Sequence, residues 1–234
     1  KWFDLKAFSD KISIITGLLH HHKDFHNLNV KYATLLEPWI FAGHRVRGLF
    51  NPDLSEEKLI IDDKIKNDYR EYMKQSFNTE FFINLSNYLS LRGKNINYVY
   101  KDLPLKNNVK LLNNFELFGG SFYGSLSLAY FLGFSKVYLI GHDAWTIKPV
   151  RNIRFYEHGQ GRTFNNEQGY DEQLEAYKQL INIYTISPNG KSNNVININY
   201  EDFTGSKIKY KENHEILSTN SLQLLSLHPS QDIE

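Results

Sequence analysis

The sequence predicts an α/β fold with a mainly parallel sheet flanked by helices, and three observations carry that reading. Short apolar runs rich in β-branched residues alternate with helical patterns along most of the chain, the order that builds parallel sheets. The run Val137, Tyr138, Leu139 and Ile140 shows almost no period-2 alternation and reads as a strand buried on both faces. The segment before it, GGSFYGSLSLAYFLGF at 119–134, reads as a buried helix, so the two form half of a βαβ unit.

Taken in order, KISIITG (11–17) reads as a strand ending on Gly17, and KYATLLEP (31–38) as a second strand ending at Glu37 and Pro38. The stretch HHHKDFHNLN between them is too short and polar for a long helix. From Ser55 a charged amphipathic helix is expected to run to about Phe77, with Glu56 and Glu57 in the first turn, where the helix dipole favours acids. Its apolar positions Leu59, Ile60, Ile61, Ile65, Tyr69, Tyr72 and Met73 fall at helical spacing. EFFINLS (80–86) and NINYVY (95–100) read as strands joined by a short helix, and 101–118 reads as a connection with room for one short strand near 109–112. In the helix of 119–134 the small residues Gly124, Ser125, Ser127 and Ala129 suit close packing, and Gly133 stands where a C′ cap belongs. Residues 146–170 are polar and aperiodic and read as a lid-like loop. A helix at about 171–184, a turn at SPNGKSNN and a strand at VININY (195–200) complete the pattern, before a weakly patterned tail.

A chain of 234 residues is expected to form one large α/β domain. With 27 basic and 26 acidic residues the net charge is +1, which argues against a dedicated nucleic-acid surface. The absence of cysteine excludes disulfides and thiolate metal sites. No apolar run reaches the roughly 18–20 residues that cross a bilayer. The chain starts with Lys rather than Met and is expected to be an excerpt or a processed chain. Fifteen Tyr and sixteen Phe exceed what a small core needs; cleft walls, cores and oligomer interfaces all use such residues.

Parallel sheets bind ligands beyond the carboxyl ends of their strands, so the residues that follow each strand are the first candidates. Gly141, His142 and Asp143 close the KVYLI strand; Asp143 is either a turn residue or a ligand contact, and Trp145 can stack on a base or a sugar. Gly119, Gly120 and Ser121 open a helix and form either an anion site or an N-cap; the run is neither a P-loop nor a G-x-G-x-x-G fingerprint. Glu37 shares the sheet edge with Gly17 and Gly141, where its carboxylate either touches a ligand or caps the next turn. The loop carries Arg151, Arg154, Tyr156, Glu157, His158 and Arg162, a set that reads either as a general base with cations for a phosphate or as a solvated loop. The chain holds no D-x-D pair to grip a metal-bound diphosphate, so metal independence is expected. His20, His21, His22 and His26 have metal-cluster composition, but neighbours on an extended segment point in alternate directions and carboxylates are scarce nearby. They are read as structural or surface histidines.

The order of these features, and above all SFYGSLSLAYFLGFSKVYLIGHDAW, resembles the bacterial sialyltransferases of glycosyltransferase family 42. It also resembles their relatives, the Maf-type flagellin-glycosylation proteins and the domain-of-unknown-function family 115 group. The resemblance spans about residues 4–185. It implies a Rossmann-like GT-A variant that binds a CMP-linked sugar at the strand ends and uses a histidine base without metal. Gly120 and Ser121 would match a small pair that contacts the nucleotide sugar, Asp143 the Asp of the G-x-D strand end, and His158 the catalytic histidine with Tyr156 nearby. Trp145 stands where the family has a phosphate-binding tyrosine. The family's Gly-x-Gly-Pro-Ser nucleotide loop and its strand are expected before the first residue of this chain. Gly17 or Thr16 and Glu37 replace asparagines at the first two strand ends, and an arginine expected near Phe118 is absent.

The expectation is therefore an inverting, metal-independent glycosyltransferase of bacterial surface-glycan or flagellin decoration, with a nucleotide sugar as substrate rather than cofactor. His158 would be the catalytic base, Gly120, Ser121, Asp143, Trp145 and Tyr156 would bind the donor, and Gly17, Glu37, His142 and Arg162 would be further contacts. The acceptor would be a glycan or protein, no nucleic acid is involved, a homo-oligomer is compatible, and the location is cytoplasmic or peripheral at the inner membrane. Two alternatives stand beside it: a pterin diphosphokinase-like enzyme using ATP and Mg²⁺, and a non-catalytic domain of a larger assembly.

Overall fold

The structure is a computed structural model that describes residues 4–50, 55–99, 120–142, 150–152, 162–164, 170–188 and 194–226. It is an α/β fold, Rossmann-like, with two sheets whose neighbouring strands are all parallel and whose faces carry helices. The first sheet has the order β1 (Ile12–Thr16), β2 (Asn29–Leu35), β3 (Glu80–Asn84), β4 (Ile96–Val99). The second has the order β5 (Lys136–Ile140), β8 (Asn182–Ser187), β9 (Ile196–Asn199). In register, Thr16 faces Thr34, Leu35 faces Ile83 and Asn84 faces Val99, so the carboxyl ends of the first sheet share one edge.

The connection from β1 to β2 contains two 3-10 turns, Leu19–His21 and Phe25–Asn27, in keeping with its short polar sequence. Between β2 and β3 run α1 (His44–Phe50) and α2 (Glu56–Gln75). Ser55 caps α2 by accepting a hydrogen bond from the Lys58 amide at 3.3 Å, and Glu56 and Glu57 lie in the first turn. Leu59, Ile65, Tyr69 and Met73 form its buried stripe. Ile65, Tyr69 and Met73 of that stripe pack with Ile15, Ala33, Leu35, Phe81 and Ile83 of the sheet.

α3 (Gly120–Phe131) touches β1 and β2 and also belongs to the second core. There Phe122, Tyr123 and Leu126 pack with Leu139 of β5, Ile183 of β8, and Leu174 and Tyr177 of α4 (Tyr170–Lys178). Its C-terminus is a Schellman motif, with the Phe134 amide bonded to Ala129 at 3.0 Å and the Gly133 amide to Tyr130 at 2.9 Å. The tail folds as α5 (Tyr200–Thr204), α6 (Asn213–Ile216) and α7 (Thr219–Ser226). Phe8 packs with Ile186 and Tyr200, tying the segment before β1 to the second sheet.

Three differences from the sequence reading have physical causes. The helix expected over 171–184 stops at Lys178, because Ile183, Thr185 and Ile186 are β-branched and pair with β5 as a strand. The segment 146–170, read as aperiodic loop, includes β6 (Val150–Asn152) and β7 (Arg162–Phe164), paired antiparallel. β5 is less enclosed than its unbroken apolar run suggests: Leu139 is buried while Val137, Tyr138 and Ile140 are half-buried, since among the described residues β5 pairs only with β8.

Phe81, fully enclosed on a central strand, is the sharpest reporter of this core. Phe81→Ala is expected to lower unfolding free energy by about 3–5 kcal/mol, read as a reduced urea midpoint with an unchanged m-value.

Candidate functional site at the carboxyl edge of the strands

β2 is followed by the turn Leu36-Glu37-Pro38-Trp39, and the first turn of α3 is bonded to it. The Leu36 amide donates to Ser121 Oγ at 3.1 Å, and the Ser121 hydroxyl donates to both Glu37 carboxylate oxygens, at 3.0 and 3.1 Å. Thr34 Oγ1 lies 2.7 Å from Ser125 Oγ and 3.1 Å from the Ser121 carbonyl, to which the Ser125 hydroxyl donates at 2.9 Å. Gly120 enters the helix at φ 79° and Gly17 leaves β1 at φ 63°; a Cβ at either would meet nothing within 4 Å, so backbone conformation rather than space calls for glycine.

The residues after β3 hold the turn from the other side. Asn84 Nδ2 donates to the Leu36 carbonyl at 3.2 Å, Asn87 Nδ2 to the Glu37 carbonyl at 3.4 Å, and Asn87 Oδ1 accepts from the Phe41 amide at 2.8 Å. Ser86 Oγ accepts from the Trp39 amide at 2.9 Å. Trp39 has φ 59°, the only positive φ of a non-glycine among the described residues.

On the side of the second sheet, His142 follows Gly141 at the end of β5, and its ring lies against Phe122 of α3, centroids 5.0 Å apart. His142 is half-buried as a residue, and desolvation of its imidazole pushes it down to about 4. The first turn of α3 therefore stands between the strand ends of both sheets, with Glu37 bonded to Ser121 on one side and His142 packed on Phe122 on the other. The Glu37 carboxylate is exposed, with lone pairs left over to accept from a ligand hydroxyl or amine.

Of the residues singled out in the sequence, Gly120, Ser121, Glu37 and His142 come together, and Gly17 lies on the same edge. Arg162 is in β7, across from Asn152. Gly119, Asp143, Trp145, Arg154, Tyr156, Glu157 and His158 lie outside the described residues. Sequence reading missed Thr34, Asn84, Ser86, Asn87 and Ser125. The available signal was amides and hydroxyls at or just past the ends of apolar strands, where backbone groups lose their ladder partners.

The histidines are packed into the structure, as expected, but on a different geometry: His20 and His21 lie on a 3-10 turn rather than an extended segment, their ring centroids are 4.1 Å apart, and Asp68 of α2 supplies a carboxylate to both. His22 is structural, as expected: it is buried, and its Nδ1 accepts from the Asp24 amide at 3.1 Å. Burial is the main cause that holds His20 down, and burial brings His21 and His22 to about 4.

Comparison with family models, with curated proteins and with solved structures found no match to this chain in any of the three.

Ser121→Ala would strand the Leu36 amide beneath the helix, at an expected cost of about 1–3 kcal/mol in chemical denaturation. Acid has a separate effect. His21, His22 and His142 have folded values of about 4, below the ordinary 6.5, so the unfolded chain binds more protons between those limits. Their contribution is complete above pH 6.5 and lost as pH falls toward 4, with a slope of up to about 1.4 kcal/mol per pH unit for each group. Urea midpoints should fall from pH 7 to pH 5, and a flat profile over that range would contradict the burial of these rings.

Proposed function

We propose that this chain is a nucleotide-sugar-dependent glycosyltransferase, related in arrangement to the family 42 sialyltransferases and acting in surface-glycan or flagellin decoration. One observation carries the reading: the Glu37 carboxylate, exposed at the carboxyl edge of a parallel sheet and bonded to Ser121 at the N-terminus of α3. A carboxylate at such a strand end accepts hydrogen bonds from ribose or sugar hydroxyls. The resemblance of 121–145 to the family supports the same class. In this reading Gly120 and Ser121 shape the donor seat, Asp143, Trp145 and Tyr156 extend it, and Arg162 meets the phosphate. His158 removes the acceptor proton as the new glycosidic bond forms and the nucleotide leaves. The donor is a substrate, and the transfer step uses no metal. Among the described residues no helix is long and apolar enough to cross a membrane, and the reading assigns the work to the cytoplasm or the inner-membrane surface.

Thermal shifts with CMP, UDP and GDP, set against ATP with Mg²⁺, test the class, because a ligand that binds only the folded state stabilises it by about 2.7 kcal/mol at a hundred times its Kd. A shift with one pyrimidine or guanine nucleotide, reduced at least tenfold in affinity by Glu37→Gln, is the expected result. A response to ATP and Mg²⁺ alone would replace the reading with the diphosphokinase, and no donor hydrolysis and no response to any nucleotide in a chain extended at its N-terminus would replace it with a non-catalytic domain.

A further inference from the structure

We propose that His20, His21 and Asp68 form a binding site for one Zn²⁺-class divalent cation, held by two imidazole nitrogens and one carboxylate oxygen with water in the remaining position.

The geometry begins at Gly17, whose positive φ turns the chain out of β1 and into the 3-10 turn Leu19–His21. On this turn the His20 and His21 rings lie together, centroids 4.1 Å apart, and both reach toward α2. There a single oxygen, Asp68 Oδ2, lies 3.2 Å from His20 Nε2 and 3.4 Å from His21 Nε2. A tetrahedral ion with ligand bonds of about 2.0–2.1 Å separates neighbouring ligand atoms by about 3.3–3.4 Å. The two measured separations match that edge, and one ligand atom from each residue lies within 4.8 Å of the others.

Three further features suit an ion. His21 Nε2 is buried and has no hydrogen-bond partner, on a side chain only 5 % exposed. Its other nitrogen, Nδ1, lies 3.1 Å from Ser221 Oγ in α7, and Ser221 is itself fixed by Ser218 through contacts of 2.9 and 3.1 Å. Such an outer partner orients a metal-bound imidazole and sets its tautomer. His20 is walled by Tyr72, stacked at 4.9 Å, and by the edge of Tyr69 at 4.4 Å, so its ring is held in place before any ion arrives. The Asp68 side chain is 47 % exposed, leaving an entry path and room for water. Burial keeps the His21 ring neutral at pH 7, the form that ligates.

Two imidazoles and a carboxylate select zinc and its borderline neighbours cobalt and nickel over Mg²⁺ or Ca²⁺, which take oxygen ligands. A bound ion would staple the turn after β1 to α2, with α7 as a brace, and so stiffen the part of the core that carries Tyr69. The site is independent of the donor chemistry assigned to the strand edge.

The test uses chelator-treated wild-type protein, titrated with Zn²⁺ against a chromophoric chelator and, separately, loaded with Co²⁺. Expected are one Zn²⁺ per chain, a rise in Tm that excess Mg²⁺ does not reproduce, and visible Co²⁺ absorption of four-coordinate intensity. Asp68→Asn, at a side chain 47 % exposed, should weaken binding at least tenfold, and His21→Gln should abolish it. His214→Gln, at an exposed histidine elsewhere, should change nothing. Absence of stoichiometric Zn²⁺ binding, or of four-coordinate Co²⁺ bands in the wild type, would overturn the proposal even if His21→Gln fails to fold. Binding that Asp68→Asn leaves unchanged would overturn it equally.

Discussion

The bonding of the first turn of α3 to the end of β2 is the constraint on which the strand edge depends. A parallel sheet satisfies its amides and carbonyls only as far as its ladder runs, and beyond that point each buried group left unpaired costs about 1–3 kcal/mol. Here the Leu36 amide finds Ser121, the Leu36 carbonyl finds Asn84, and the Glu37 carbonyl finds Asn87. Thr34 and Ser125 lock the same helix turn one step deeper, at a point where Thr34 is fully buried. Polar residues at these positions thus follow from where the strands end, and their placement fixes the height of α3 above the sheet. Because α3 also carries Phe122, Tyr123 and Leu126 into the second core, the bonds that hold it to β2 set how both cores meet one helix.

The turn that presents Glu37 is held under backbone strain. Trp39, with φ 59°, occupies a region that costs a residue with a Cβ roughly 1–2 kcal/mol. Such a conformation persists only where its surroundings over-determine it. Ser86 takes the Trp39 amide and Asn87 takes the Phe41 amide two residues on, so the turn is gripped on both sides of the strained residue. The Glu37 carboxylate, two residues earlier on the same turn, is held by Ser121.

Much of this architecture was legible in the residues. β1 to β5 and β9 announce themselves as apolar β-branched runs, Ser55 with Glu56 and Glu57 marks the start of α2, and Gly133 marks the end of α3, all through local chemistry. The boundary between α4 and β8 was not legible, since Leu180, Ile181 and Ile183 fit a helical stripe as well as a strand, and only pairing with β5 decides between them. α1 escaped notice because His44–Phe50 is short and its sequence shows no clear apolar stripe. At the site, Ser121 and Glu37 were visible as strand-edge candidates, but their bond joins residues 84 positions apart and no local pattern foretells it. The same holds for Asp68 beside His20, 48 positions apart. Asp68 looks like one more charge on the polar face of α2, and the histidines look solvated until the 3-10 turn brings their rings to one side.

The Glu37–Ser121 pair also limits how a ligand can use this edge. The N-terminus of α3 carries the positive end of its dipole, and there the chain has already placed its own carboxylate, held by a hydroxyl that would otherwise be free to donate. A phosphate brought to Ser121 would meet the like charge of Glu37 and would have to displace an established hydrogen bond. A sugar or ribose hydroxyl would instead donate to the open lone pairs of Glu37 and leave Ser121 undisturbed. The free acceptor capacity at this edge therefore suits hydroxyl donors rather than anions. In a nucleotide-sugar reading the phosphate charge must be met elsewhere, by cationic side chains approaching from outside the first sheet.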